Sequence, residues 1–153
     1  LITLRKAVEN DTKDLFDWRN DQDTRNASID DRPINYQDHE KWMKNVINDR
    51  NRLLYIAEEK GAKIGMVRFD IEGEIAEVSI NLAPNMRGKG YGARLLDMAH
   101  QKLNAEKKNL VVSAKVKASN MASIKTFLKA GYKKTTEKED KRDQGILFFE
   151  RKL

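Results

Sequence analysis

There is no cysteine in the 153 residues, so disulfides, thiolate nucleophiles and cysteine-ligated metal sites are excluded at once. No apolar run approaches the length of a membrane span and no signal-peptide pattern is visible; a soluble, cytoplasmic protein with no membrane partner is the expectation. Aromatic residues make up only 7% of the chain and fall mostly at apolar-face positions, unlike the stacking platform of a single-strand nucleic-acid binder. Nor is charge of one sign gathered into a block. Lysine and arginine outnumber acids by 30 to 24, a net of +6, but the two signs are interleaved. The basic balance suits a polyanionic ligand, and the scatter argues for a small one rather than nucleic acid. Repeats, linkers and low-complexity tracts are missing too, so residues 1–153 read as one domain, long enough for a core without staples.

What is present is organised around Ala76 to Lys107. Ala76-Glu77-Val78-Ser79-Ile80-Asn81-Leu82 alternates apolar and polar, the period of a strand with one buried face. Tyr91, Leu95, Leu96, Ala99 and Leu103 then recur at helical spacing. Between strand and helix lies Arg87-Gly88-Lys89-Gly90-Tyr91-Gly92. Glycine lets consecutive N–H groups converge, and a helix N-terminus adds unpaired donors and the positive dipole end. The turn therefore reads as a pyrophosphate cradle.

Elsewhere, Ile2 to Ala7 reads as a first strand, and Asn10-Asp11-Thr12 as capping side chains for a helix carrying Leu15, Phe16 and Trp18 inward. Polar sequence follows Asp21 to Arg25; then Asn35 opens a helix with His39, Trp42, Met43, Val46 and Ile47 on one side. Asn51-Arg52 turns into a strand at Leu53 to Ala57, and Lys60 to Lys63 into another at Ile64 to Ile71. Past the central helix come a strand at Leu110 to Val116, a helix from Asn120 to Ala130 ending at Gly131, and strands around Tyr132 to Thr136 and Ile146 to Arg151. The polar run Glu137 to Gln144 reads as an exposed loop.

The spacing of the cradle separates three phosphate motifs. A Walker loop needs Gly-Lys followed by Ser or Thr, whereas Gly88-Lys89 precedes Gly90. A Rossmann fingerprint needs G-x-G-x-x-G and an acid at the end of the next strand, whereas that strand ends in Lys115 and Lys117. The third pattern, Q/R-x-x-G-x-G/A, fits Arg87 to Gly92. Here the chain resembles the GNAT superfamily of N-acetyltransferases. The likeness extends upstream to Asn81-Leu82-Ala83-Pro84 and downstream to Asn120 to Tyr132, so it covers essentially the whole chain.

The resemblance implies a mixed α/β fold: a largely antiparallel sheet of about seven strands, splayed between the fourth and fifth, with helices on both faces. It implies acetyl-CoA (coenzyme A) as cofactor and no metal. Backbone at Asn81, Leu82 and Ala83 would hold the pantetheine arm in the splay, and Arg87, Gly88, Lys89, Gly90, Tyr91 and Gly92 the pyrophosphate. Asn120, Ser123 and Phe127 would hold the cofactor from the other side. Glu77 stands where relatives carry a general base, with Ser79 beside it to organise a water or the substrate, and His39 is the runner-up. Phe127 replaces the tyrosine that protonates the thiolate in many relatives, so either Tyr132 or a water serves or the thiolate leaves unaided. Trp18, Arg19, Asn20, Arg25, His39, Trp42 and Arg68 resemble the acceptor side of enzymes acting on amino-sugar nucleotides or ribosomal-protein N-termini. The acceptor expected is a small-molecule amine, a nucleotide-linked amino sugar, on a monomer or homodimer. A protein N-terminal acetyltransferase and a non-catalytic acyl-CoA-binding module are the alternatives.

Overall fold

The computed structural model describes residues 1–135 and 145–153. Its strands are β1 (Ile2–Lys6), β2 (Arg52–Glu59), β3 (Ala62–Glu72), β4 (Ile75–Leu82), β5 (Val111–Lys117), β6 (Lys133–Thr135) and β7 (Ile146–Lys152). They form one sheet in the order β1-β2-β3-β4-β5-β7-β6. Every neighbouring pair is antiparallel except β4–β5, which is parallel. The helices are α1 (Thr12–Asn20), α2 (Gln22–Ala27), α3 (Tyr36–Asn48), α4 (Tyr91–Glu106) and α5 (Met121–Lys129). The expected mixed α/β sheet with helices on both faces is what forms.

Period-two alternation explains why five residues in a row, Leu53 to Ala57, are buried. Leu53, Tyr55 and Ala57 join the cluster that contains Leu95, Leu96 and Leu103 of α4 and Phe127 of α5. Leu54 and Ile56 join the opposite cluster, with Leu15 and Trp18 of α1 and Met43 and Val46 of α3. A bulge in β3 opposite Ala57 and Glu58 shifts the alternation there. Beyond it Val67 and Phe69 face α4, whereas Met66 joins the cluster under α1 and α3.

Among the described residues, the sheet parts between its only parallel neighbours. β4 and β5 pair at Ile75–Val111, Ala76–Val112 and Glu77–Ser113, and no further. β4 continues to Leu82, held on its other side by β3 all the way to Gly65. β5 continues to Lys117, held by β7. The edge of β4 from Val78 to Leu82 therefore faces a gap.

Three expectations change. Asp11 does not cap α1, which begins with no side-chain cap. Its buried carboxylate instead receives both terminal nitrogens of Arg5 at 2.8 Å, Lys63 Nζ at 2.8 Å and the Val8 N–H at 2.8 Å. Burial pushes this acid upward, but these partners outweigh burial and hold it well below the usual carboxylate range. The polar stretch after Asp21 contains a helix, α2, because the Asp21 carboxylate accepts from Thr24 N–H and caps it. Arg52 belongs to β2, paired with Asp70, rather than to the preceding turn. Thr136 and the expected loop Glu137 to Gln144 lie outside the described residues.

Candidate active site

The turn at the end of β4 is shaped by positive φ. Gly88 and Gly90 have φ of 73° and 81°, and a Cβ built on either would meet nothing within 4 Å. Glycine is needed there for conformation, and the space beside it is open. Gly90 is the N-cap of α4 and provides no side-chain cap, so the first-turn N–H groups remain available to an anion. Gly92 has a different reason: a Cβ there would lie 2.8 Å from Thr126 Cγ2, so its absence lets α4 approach α5. Lys89 is exposed beside the turn.

Arg87 turns toward α2. Its guanidinium pairs with Asp21 Oδ2 at 3.1 Å and donates to Thr24 Oγ1. The far wall of the gap reaches the same helix. Lys117 Nζ donates to Asn26 O at 3.0 Å, and Asn120 Nδ2 donates to Ala27 O at 3.2 Å. Asn120 Oδ1 meanwhile accepts from Ser123 N–H at 3.1 Å and caps α5. Thus α2 is tied to the glycine turn on one side and to the β5–α5 junction on the other. Asn20 closes the loop below it, exchanging bonds with Ile34 N–H at 2.8 Å and Ile34 O at 3.1 Å. Arg25 donates to Asp31 O at 3.1 Å within that loop.

On the β4 face toward α1 and α3, Glu77 lies opposite Asp70 and Ser79 opposite Arg68. Glu77 is exposed, with Lys115 Nζ at 4.0 Å. Arg68 donates to Ser79 Oγ at 3.3 Å and to Asp70 Oδ2 at 3.2 Å, and Arg52 donates to Asp70 Oδ1 at 2.9 Å. Both guanidinium groups lie over Trp42, at 5.1 Å for Arg68 and 5.8 Å for Arg52. His39 also stacks on Trp42, at 5.5 Å, with Nε2 at 2.9 Å from Thr12 O. A carbonyl only accepts, so Nε2 carries the proton. Burial holds His39 below its ordinary value. Trp18 is buried in the α1–α3 cluster, and Arg19 is exposed at the end of α1.

Phe127 and Tyr132 sit elsewhere. Phe127 packs edge-on to Tyr132 at 5.0 Å and stacks on Phe149 at 6.3 Å. Tyr132 OH is 2.6 Å from His100 Nε2, well down α4 from Gly90. Arg151 donates to His100 Nδ1 at 3.1 Å, so that nitrogen is the acceptor and Nε2–H donates to Tyr132. Burial, with Arg151 assisting, pushes His100 down to about 4; burial also raises Tyr132. Both belong to the α4 core.

The acetyltransferase (GNAT) domain family matches residues 2–133. The chain belongs to the GNAT acetyltransferase family. Solved structures agree in fold. A spermidine N-acetyltransferase from Vibrio cholerae, in complex with CoA and spermine, superposes with a TM-score of 0.85 at 18% identity, covering 99% of this chain and 95% of that one. A ribosomal-protein-alanine N-acetyltransferase from Brucella melitensis gives 0.79 at 24% identity, covering 99% of each. An aminoglycoside acetyltransferase in complex with coenzyme A gives 0.82 at 19% identity, covering 99% and 95%. Compared with curated proteins by sequence, the chain has no match.

Within this acetyltransferase, the structure gathers Glu77, Ser79, Arg68 and Trp42 on one sheet face and the glycine turn beyond the end of the same strand. It leaves Trp18 in the core and His39 bonded to backbone. Asp70 was in view beside Arg68, in the stretch Arg68-Phe69-Asp70, but sequence reasoning missed Arg52 as its partner in the Trp42 group, and Asp21 and Thr24 as partners of Arg87. The Arg52–Asp70 pair had a partial signal: folding the β2–β3 hairpin about Lys60-Gly61 puts Arg52 opposite Phe69, and the bulge next to Ala57 moves the register one residue on, to Asp70. The second pair joins segments far apart in sequence and had none. Among the described residues no cluster of His, Asp and Glu is arranged to hold a metal, and no helix is long and apolar enough to cross a membrane.

Proposed function

We propose that residues 1–153 form one cytoplasmic N-acetyltransferase domain that moves an acetyl group from acetyl-coenzyme A to the primary amine of a nucleotide-linked amino sugar. The observation that carries the reading is the parting of β4 from β5 after Glu77, with the open glycine turn at its end and Glu77 and Ser79 on the face beside it.

The residues present fit the cofactor. Main-chain groups from Val78 to Leu82 have no β5 partner, so an extended arm can add to that edge as a strand would. Amides at Gly88 to Gly92 suit the diphosphate, with Lys89 beside them. Arg87 shapes the turn's surroundings through Asp21 and Thr24, and Asn120 fixes the opposite wall by capping α5. Bound acetyl-CoA supplies a thioester; the amine nitrogen bonds to its carbonyl carbon as the carbon–sulfur bond breaks, and the thiolate leaves to take a proton. The chain holds the two reactants together, which is the larger share of the rate. A backbone N–H on the free edge near Ile80 to Leu82 stabilises charge on the carbonyl oxygen. An alkylamine is mostly protonated near neutral pH, and Glu77, directly or through a water held by Ser79, accepts the proton it must lose.

The test is thiol release from acetyl-CoA with a UDP-linked amino sugar as acceptor. Turnover is expected, with Glu77→Gln lowering kcat by about a hundredfold or more while coenzyme A binding persists. Acetylation of peptide N-termini without turnover of amino sugars would replace the acceptor. Coenzyme A binding with no turnover on any amine would leave only a binding module.

A further inference from the structure

The group around Trp42 has more positive charge than its own acids match. Arg52 and Arg68 share one carboxylate, Asp70. The neighbouring acid on this face, Glu77, is met from the far side by Lys115 at 4.0 Å. Three cations thus face two carboxylates, and Arg19 adds to the positive field felt at Arg68. The Arg68 side chain is only 15% exposed. Its Nε and one terminal nitrogen are used by Asp70 and Ser79, whereas the other terminal nitrogen has no partner among the described residues. Burial pulls this guanidinium below its ordinary value, Asp70 opposing. The nitrogen left over is not sealed in, since Tyr55 Oη is the one buried side-chain nitrogen or oxygen without a partner among the described residues, so an anion arriving from solvent can reach it. A flat guanidinium lying over an indole is well suited to receive an oxyanion, because its rigid N–H fork matches carboxylate and phosphate geometry.

We infer that the acceptor enters with an anionic group, a phosphate or a carboxylate, and that Arg68 and Arg52 receive it beside Trp42. The inference rests on the acetyl-transfer reading of the β4 edge and adds which side chains receive the acceptor's anion, Arg68 and Arg52, and how far that anion lies from the amine. Arg68 lies one strand in from β4 and Arg52 two strands in. At the usual strand spacing the anion sits roughly 5–10 Å from an amine at the β4 edge. That span fits an amino-sugar phosphate or an ω-amino carboxylate. Polycationic amines such as spermidine meet unmatched arginines instead.

Matched acceptors test this: an amino-sugar 1-phosphate against the same sugar without phosphate, and an ω-amino carboxylate against its methyl ester, with spermidine as the polycation. The charged member of at least one pair is expected to have the higher kcat/KM, by roughly ten- to a hundredfold. Whichever pair responds identifies the anion. Arg52→Gln, chosen because Arg68 is buried and its loss can unfold the protein, is expected to reduce that ratio about tenfold. Equal rates within both pairs, or spermidine as the best acceptor, would overturn the inference and leave acetyl transfer standing. If no small amine is acetylated, the small-molecule reading fails separately, and binding decides. With coenzyme A bound, inorganic pyrophosphate is expected to change a tryptophan fluorescence signal that Trp42→Phe removes and Arg52→Gln weakens; no such change would overturn the inference.

Discussion

The two faces of the sheet are built on different terms. The α4–α5 face is a broad apolar layer drawn from strands on both sides of the gap, with Leu95, Leu96, Ala99 and Leu103 fully buried. The α1–α3 face has a smaller apolar patch, from Leu15 to Met66, and beside it Arg52, Arg68, Asp70, Ser79 and Trp42. The first face positions backbone: the turn that starts α4 is made of φ angles and a close approach at Gly92. The second positions side-chain charge. Recognition of a constant cofactor can rest on main chain, whereas choice among amines needs groups that differ from one protein to the next.

The contrast can be broken most directly by truncating each core. Leu96→Ala is expected to cost about 2–5 kcal/mol, because the site is sealed on every side. Leu15→Ala, the same truncation on the other face at a site 5% exposed, should cost about 2–3 kcal/mol, the lower end of that range. Urea unfolding of both variants measures the difference; equal losses would mean that the faces carry equal weight.

A second probe is pH. His100 ordinarily titrates near 6.5 and is pushed down to about 4 in the fold, so the unfolded chain takes up the proton first as pH falls. Stability is therefore fully present above about 6.5 and lost progressively down to about 4, a contribution of about 3 kcal/mol, with buried His39 acting in the same direction. Unfolding free energies across that window should slope, and His100→Gln should flatten them. An unchanged slope would remove His100 from the account. The smallest effect is expected at the turn: Gly90→Ala has room for its methyl but must hold φ near 81°, costing about 1–2 kcal/mol in folding. Calorimetry should show weaker coenzyme A affinity with Glu77 and its surroundings intact.

The same contrast explains what was legible in sequence. Alternation at Ala76 to Leu82, helical spacing from Tyr91 to Leu103 and the glycines between them are local signals, and they placed β4, α4 and the turn to within a residue or two. Asn35 and Asn120 were placed at the starts of helices for the same reason, and the structure adds that each caps its helix with its side chain. The α2 helix was not, because its cap is a single aspartate in a polar stretch and its anchors are Arg87, Lys117 and Asn120, remote in the chain. Asp11 misled because an aspartate before a helix suits a cap, and only the fold brings Arg5 and Lys63 to it. Arg87 was read as a phosphate ligand on its place in the motif; its contacts with α2 could be found only in three dimensions.

The short β4–β5 pairing makes the sheet two plates joined by a three-residue weld, one plate from β1 to β4 and the other from β5 through β7 to β6. The apolar layer beneath α4 is continuous across both and acts as a splint on one side. Across the seam on the other side, the links from α2 to Arg87, Lys117 and Asn120 are all polar. Flexing at the seam is thus resisted by oil on one surface and by exchangeable polar links on the other, and among these ionic strength should loosen chiefly the charged pair of Arg87 with Asp21.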